Sequence, residues 1–116
     1  VTRPVRLQRS RRAGFSLQAA SRAANGLAAV NCARPSRWGN PFRFEAGDRF
    51  HPADRFAWEA LPLIDAAPLR GLNLACFCRL CPAHAATGKP FDVACPDCAP
   101  CHVDSLGMKA NEVAPQ

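Results

Sequence analysis

Apolar and polar positions along this chain fall into two periods. From Pro4 to Arg9, Val5 and Leu7 alternate with Arg6 and Gln8, the two-residue period of a short half-buried strand. Arg11 to Gly14 follows as its turn. Ser16 is placed to cap a helix running to Ala24, with Leu17, Ala20, Ser21 and Ala24 on one face and Asn25-Gly26 as the stop. Leu27 to Cys32 reads as a second strand, broken by Pro35. Helical spacing is clearest at Ala53, Phe56, Ala57, Ala60, Leu61 and Ile64, which recur every three or four residues. Pro52 suits the first position of that helix, Gly71 its exit, and Pro62 predicts a kink or an end in its last turn. Trp58 lies off the stripe and either covers a neighbouring loop or faces the surface. Leu72 to Cys78 reads as a core strand with Leu72, Leu74, Cys76 and Cys78 on one face. A last helix from Pro100 to about Ala110 places Cys101 and His102 in its first turn, where a thiol pKa tends to fall. The expectation is a small single α/β domain over residues 1–116, a few-stranded sheet with short helices.

Two segments do not fit either period. Arg34 to Phe42, RPSRWGNPF, is irregular by necessity: two prolines remove backbone donors, Gly39 permits a tight turn and Asn40 before Pro41 favours turn initiation. It is a shaped loop bearing Arg, Ser, Trp and Asn side chains. Between Pro82 and Pro100 the only bulky apolar residues are Phe91 and Val93, too few to fold that stretch by burial alone. It needs a staple, either disulfides or a metal.

The residues for a staple are present. Cys76, Cys78, Cys81, His84, Cys95, Cys98, Cys101 and His102 are eight metal-competent side chains, whereas the rest of the chain adds only Cys32 and His51 to the cysteines and histidines. Eight ligands make two tetrahedral sites, and thiolate with imidazole is the set that Zn²⁺ takes in closed structural positions. Cys81-x2-His84 and Cys95-x2-Cys98 form two knuckles around Gly88-Lys89-Pro90 and point to one zinc site. Cys76, Cys78, Cys101 and His102 complete a second in number, although adjacent residues 101 and 102 ordinarily point apart. Another partition joins Cys78-x2-Cys81 to Cys95-x2-Cys98 and leaves His84 beside the site. The odd total of seven cysteines argues against a complete disulfide framework. No apolar signal-like run follows VTRPVRLQRSRR and no window approaches the length of a membrane span, so a cytoplasmic, reducing location without a membrane partner is the default expectation.

Charge is uneven. Residues 1–43 carry nine Arg and no acid, whereas from Phe44 onward nine acidic residues outnumber six basic ones. An Arg-dominated half suits phosphates, because the guanidinium fork matches phosphate oxygens. It equally suits a solubilising N-terminus.

The motifs RPSRWGNPF, LACFC and CHVDSL, in this order, resemble the domain-of-unknown-function family 4326 of bacteria and their phages, over roughly Arg6 to Met108. The resemblance implies that Arg34, Pro35, Ser36, Arg37, Trp38, Gly39 and Asn40 form the family's first motif, and that Cys76, Cys78, Cys101 and His102 form its core constellation. Residues 79–100 then read as an insertion with its own zinc knuckle, and Phe77 replaces a common Trp. The family brings no reaction with it. Two readings of function follow. One is a module binding nucleic acid or a nucleotide, with Arg34, Ser36, Arg37, Trp38 and Asn40 as contacts and Trp38 either stacking on a base or simply packed. The other is an enzyme acting on a phosphate-bearing substrate in a pocket between the loop and the CxC and CH motifs, with Cys78 or Cys101 as nucleophile, His102 as base and Asp104 as a conceivable partner.

Overall fold

The computed structural model describes residues 2–112. Three strands, β1 (Val5–Gln8), β2 (Ala29–Asn31) and β3 (Asn73–Cys76), lie parallel, with β3 in the middle. A two-residue strand, β4 (Lys89–Pro90), pairs antiparallel with β1 at the edge, giving the order β2-β3-β1-β4. The expected α/β domain with a few-stranded sheet and short helices is what the chain forms. The strands are shorter than the apolar runs, trimmed at both ends.

The connection from β1 to β2 carries helix α1 (Leu17–Asn25). Ser16 caps it, its hydroxyl accepting from the Ala19 amide, and Gly26 ends it in the left-handed conformation. Leu17 and Ala24 pack against Val5, Leu7, Ala29 and Ala75 on one face of the sheet. The β2-to-β3 connection covers the opposite face. There helix α2 (Pro52–Arg55) widens into a π turn (Phe56–Ala60) and tightens into a 3-10 turn (Leu61–Leu63). Pro62 has no N–H to continue the ladder, so the helical run stops at Leu63 rather than at Gly71. A separate 3-10 turn, Ala67–Leu69, precedes Gly71, which takes φ 77°. Phe56 is fully buried on this face with Leu69 and Leu74. Trp58 sits at the surface, edge-on to Phe50 at 4.9 Å.

Residues 79–100 form helix α3 (Pro82–Thr87) and β4. Gly88 makes the turn between them, and a Cβ there would lie 2.3 Å from a Val5 methyl. The last helix, α4 (His102–Ala110), begins two residues after Pro100, with Cys101 as its N-cap rather than in its first turn. Val103, Leu106 and Ala110 face the core, each large apolar side chain contributing roughly 1.5–3 kcal/mol by burial. Gly107 lets α4 close onto Phe91, whose ring would lie 2.4 Å from a Cβ at that position.

With both faces covered, polar side chains on the strands need partners inside. Asn73, fully buried, has them: its Oδ1 accepts from the Val5 amide at 2.9 Å, and its Nδ2 donates to Ser21 Oγ at 2.8 Å and Asn25 Oδ1 at 2.7 Å. This network ties α1 to the start of both central strands. Asn73→Ala strands several of those groups, and an unpaired buried polar group costs about 1–3 kcal/mol. Denaturant titration is expected to show a loss of roughly 2 kcal/mol or more, whereas Arg22→Ala at the exposed side of α1 loses less.

Candidate metal centre and cleft

The eight expected ligands separate into two groups. Sγ of Cys81, Cys95 and Cys98 and a ring nitrogen of His84 lie within 4.8 Å of one another. Cys81 sits just before α3, where Pro82 starts the helix and throws His84 back towards it. The returning chain turns at Cys95, whose carbonyl accepts from the Cys98 amide. His84 Nδ1 is 3.3 Å from Cys81 Sγ and 3.4 Å from Cys98 Sγ, and the Cys81 amide donates to Cys98 Sγ at 3.2 Å. The His84 backbone amide holds the Cys81 thiol below its usual range, while burial pushes Cys98 up. Four ligands on two knuckles, stiffened by amide-to-sulfur hydrogen bonds, are positioned to hold a metal ion. Their surroundings offer little else: Leu80 is the one large apolar side chain buried with them, and Val93 is exposed.

The second group is Cys76, Cys78 and Cys101, again with their sulfurs within 4.8 Å of one another. They come from the end of β3, the turn after it and the N-cap of α4. Cys78 thus belongs with Cys76 and Cys101 and not with Cys81, so the four-cysteine partition is not the one the fold assembles. Cys76 Sγ and Cys101 Sγ are 2.8 Å apart. Hydrogen bonding from Cys101 and then Cys76, with the charge of Arg6, holds Cys78 down at about 2, while the Cys101 thiol is driven well up by its neighbours Cys76 and Cys78. One thiolate is therefore shared within the trio and its other protons stay on. Cys32, buried beside them, is pushed up to about 12 by desolvation and is an inert packing group.

His102 lies outside that trio of ligand atoms. Its Nδ1 is 3.8 Å from Cys101 Sγ, and its Nε2 is 3.1 Å from the Cys32 carbonyl and 3.0 Å from the Trp38 carbonyl. Two acceptors place the proton on Nε2 and leave Nδ1 with a lone pair. Burial keeps this ring neutral, lowering its pKa against the pull of the two carbonyls.

Behind the thiols stands a residue that the sequence pattern assigned to the surface. Arg6 is fully buried. Its Nη1 donates to Asp104 Oδ2 at 2.9 Å and its Nη2 to the Ala99 carbonyl at 2.8 Å. Lys89 donates to the other Asp104 oxygen at 3.0 Å. Burial opposes the charge on Arg6, but Cys101, Asp104, Cys76 and Cys78 outweigh it and hold the guanidinium charged. Asp104 is thus occupied by two cations and is no partner for His102.

In front of the thiols a cleft of about 410 Å³ opens at the C-terminal ends of the parallel strands. Arg11, Arg34, Arg43 and His51 line it together with the three cysteines and His102, and no carboxylate does. Phe77 also lines it and carries two guanidinium groups on its ring, Arg11 at 3.8 Å and Arg9 at 4.6 Å. Of the loop residues expected to contact a ligand, Arg34 and Asn40 reach the cleft, but both also shape the loop. Arg34 Nη1 donates to the Asn40 and Phe42 carbonyls, and Asn40 Nδ2 donates to the Pro52 carbonyl at 3.0 Å. Ser36, Arg37 and Trp38 do not line it. Trp38 is a core residue with Arg37 laid over its ring at 4.4 Å. Gly39 suits the close approach of the loop to itself, since a Cβ there would press on Arg34, 3.0 Å from its Cα. Arg11, Arg43 and His51 were not expected in the site; the only signal for the first two was the acid-free N-terminal charge.

No protein-family model, curated protein or solved structure matches the chain. No helix among the described residues is long and apolar enough to cross a membrane.

Cys95 separates a metal role from a packing role. It is half-buried, so as a mere packing residue its change to Ser costs about 0.5 kcal/mol or less. As one of four ligands it removes binding energy that is also folding energy. Cys95→Ser is expected to lower Tm by on the order of 10 °C and to release one metal equivalent on gel filtration, read by elemental analysis.

Proposed function

We propose that this chain is a small zinc-binding domain that uses its Arg-lined cleft to bind a phosphate-bearing ligand, a nucleotide or the phosphates of a nucleic acid. Cys81, His84, Cys95 and Cys98 take the structural zinc, since thiolate with imidazole in a closed four-ligand set is the preference of that ion. A reducing cytoplasmic setting keeps these thiols available. Membership of family 4326 is part of the same proposal and rests on the RPSRWGNPF, LACFC and CHVDSL motifs.

The observation that carries the ligand is the composition of the cleft: three Arg and two His line it and no acid does. Its place adds to this. Parallel strands end there and the N-terminus of α4 faces it, and such crevices favour anions through unpaired amides and the helix dipole. Arg11 and Arg43 are the residues best free to engage phosphate, because Arg34 already holds its own loop. Arg6 is excluded from that role by its burial, so the basic N-terminal half supplies fewer contacts than its charge suggests.

Cys78, with its lowered thiol, favours thiol chemistry on the bound ligand as the second reading. Cys101 does not fit a nucleophile's role, being buried and driven up in pKa.

The test is fluorescence-anisotropy binding of AMP, ATP and a short mixed oligonucleotide by the zinc-loaded protein at low and moderate salt. Saturable, salt-sensitive binding is expected, and Arg11→Ala with Arg43→Ala is expected to weaken it roughly tenfold or more and to flatten the salt dependence. Absence of saturable binding by the unaltered protein, or equal affinity in the double variant, refutes the cleft as the site.

A further inference from the structure

We infer that Cys76, Cys78 and Cys101 hold a second divalent ion whose remaining coordination position faces the cleft and accepts an oxyanion such as phosphate. The ion stands on the convergence of the thiols; only the nature of its exogenous ligand rests on reading the cleft as an anion site.

The first support is convergence. Three sulfurs from three separate elements meet within 4.8 Å of one another at the cleft wall, and each is fixed by a strand end, a short turn or a helix cap. The second is charge. Arg6 and Lys89 share one carboxylate, Asp104, so these buried side chains carry one net positive charge. Arg6 is fully buried and its Nε has no hydrogen-bond partner. A lone buried charge is costly. Three thiolates around a divalent cation carry one net negative charge, within electrostatic reach of that guanidinium. A single thiolate on Cys78 supplies the same charge, so Arg6 admits the ion, and it is the meeting of three sulfurs that argues for it.

The third support is the count of ligands. Only three side chains belong to the group, and three protein ligands with a free position are the arrangement of zinc centres that take a substrate or water. His102, turned by its Nε2 to two carbonyls, keeps Nδ1 as an acceptor next to Cys101. In that place it can accept a hydrogen bond from a metal-bound water, which is how outer groups tune such ions. The inner quartet, by contrast, is complete in itself. The two sites thus differ in kind: one closes a loop, the other presents a Lewis acid to whatever phosphate Arg11 and Arg43 bring in.

The full-length reduced protein, reconstituted with zinc and read by native mass spectrometry, tests the ion. Two equivalents are expected, falling to one in Cys76→Ser with Cys101→Ser, or in Cys78→Ser should that double variant not fold. Cys95→Ser is also expected to keep one. His102→Ala is expected to keep two. A single equivalent in the unaltered protein, or a Cys76–Cys101 disulfide in its place, overturns the inference. Loss of the second ion in His102→Ala also overturns it, because it shows a closed four-ligand site.

Cobalt substitution tests the free position. Inorganic phosphate is expected to change the visible d–d bands of the unaltered protein and of Cys95→Ser, and to leave those of the Cys76/Cys101 variant unchanged. Bands indifferent to phosphate in all three overturn it. Nucleotide binding by a protein with one ion sinks this inference and leaves the proposed function standing. Two ions, a phosphate-sensitive spectrum and no nucleotide binding do the reverse.

Discussion

The guanidinium of Arg6 is the interaction on which the arrangement depends. It lies in the middle of β1, fully buried, and reaches four parts of the molecule at once: the Asp104 carboxylate on α4, the Ala99 carbonyl and, at 3.5 Å, the Arg79 carbonyl at the two ends of residues 79–100, and the thiol trio beyond. The Ala99 amide donates to the Arg79 carbonyl at 2.7 Å, so Arg6 clasps the stem of that segment where it closes. Lys89 on β4 completes the clasp through Asp104. Removing one partner of such a buried set typically costs about 3–5 kcal/mol, because the other charges are left without compensation.

From this clasp follows the division of labour in the fold. The stem is held by hydrogen bonds and charge, and Phe91 anchors it to the main core beside Gly107. The ligand-bearing segment on either side of β4 and Phe91, residues 81–88 and 92–98, lies beyond these anchors, with Leu80 the large apolar side chain buried among its cysteines. Apolar burial offers these residues little, and the four ligands are positioned to hold them through a metal ion. On the other side of Arg6 the thiol trio joins the sheet end to α4 and forms the floor of the cleft. The two sulfur groups therefore differ in setting: one lies beyond the main core, the other lines the cleft.

Much of this was legible in the order of residues. The stripe from Ala53 to Ile64, the cap at Ser16 with Gly26 as stop, and the two knuckles all follow local rules that the tertiary fold obeys. Arg6 and Trp38 show where local rules fail. Arg6 alternates with Val5 and Leu7, so a one-sided strand would turn it to water; with helices on both faces, it is turned into the interior instead. Trp38, between Arg37 and Gly39, offers no periodicity at all, and only the doubling back of the loop onto the β2 end decides that it is packed. Asn73 gives no signal either, since its partners lie on α1 and β1. β4 is two residues long, below the length at which alternation can be read, and its pairing depends on Gly88 bringing the chain against Val5. Cys78 goes to Cys76 and Cys101 rather than Cys81 because β3 ends at Cys76 and the turn after it faces the α4 cap.

A metal ion, and not apolar packing, is proposed to order the ligand-bearing segment, residues 81–88 and 92–98. Hydrogen exchange of the reduced, zinc-loaded protein with and without a strong chelator measures this directly, since the amides of Cys81, Ala85, Gly88 and Cys98 are hydrogen-bonded within the segment. Chelation is expected to abolish protection across residues 81–88 and 92–98 while β1, β3 and α4 keep most of theirs. Unchanged protection in that segment after the metal has been removed contradicts it.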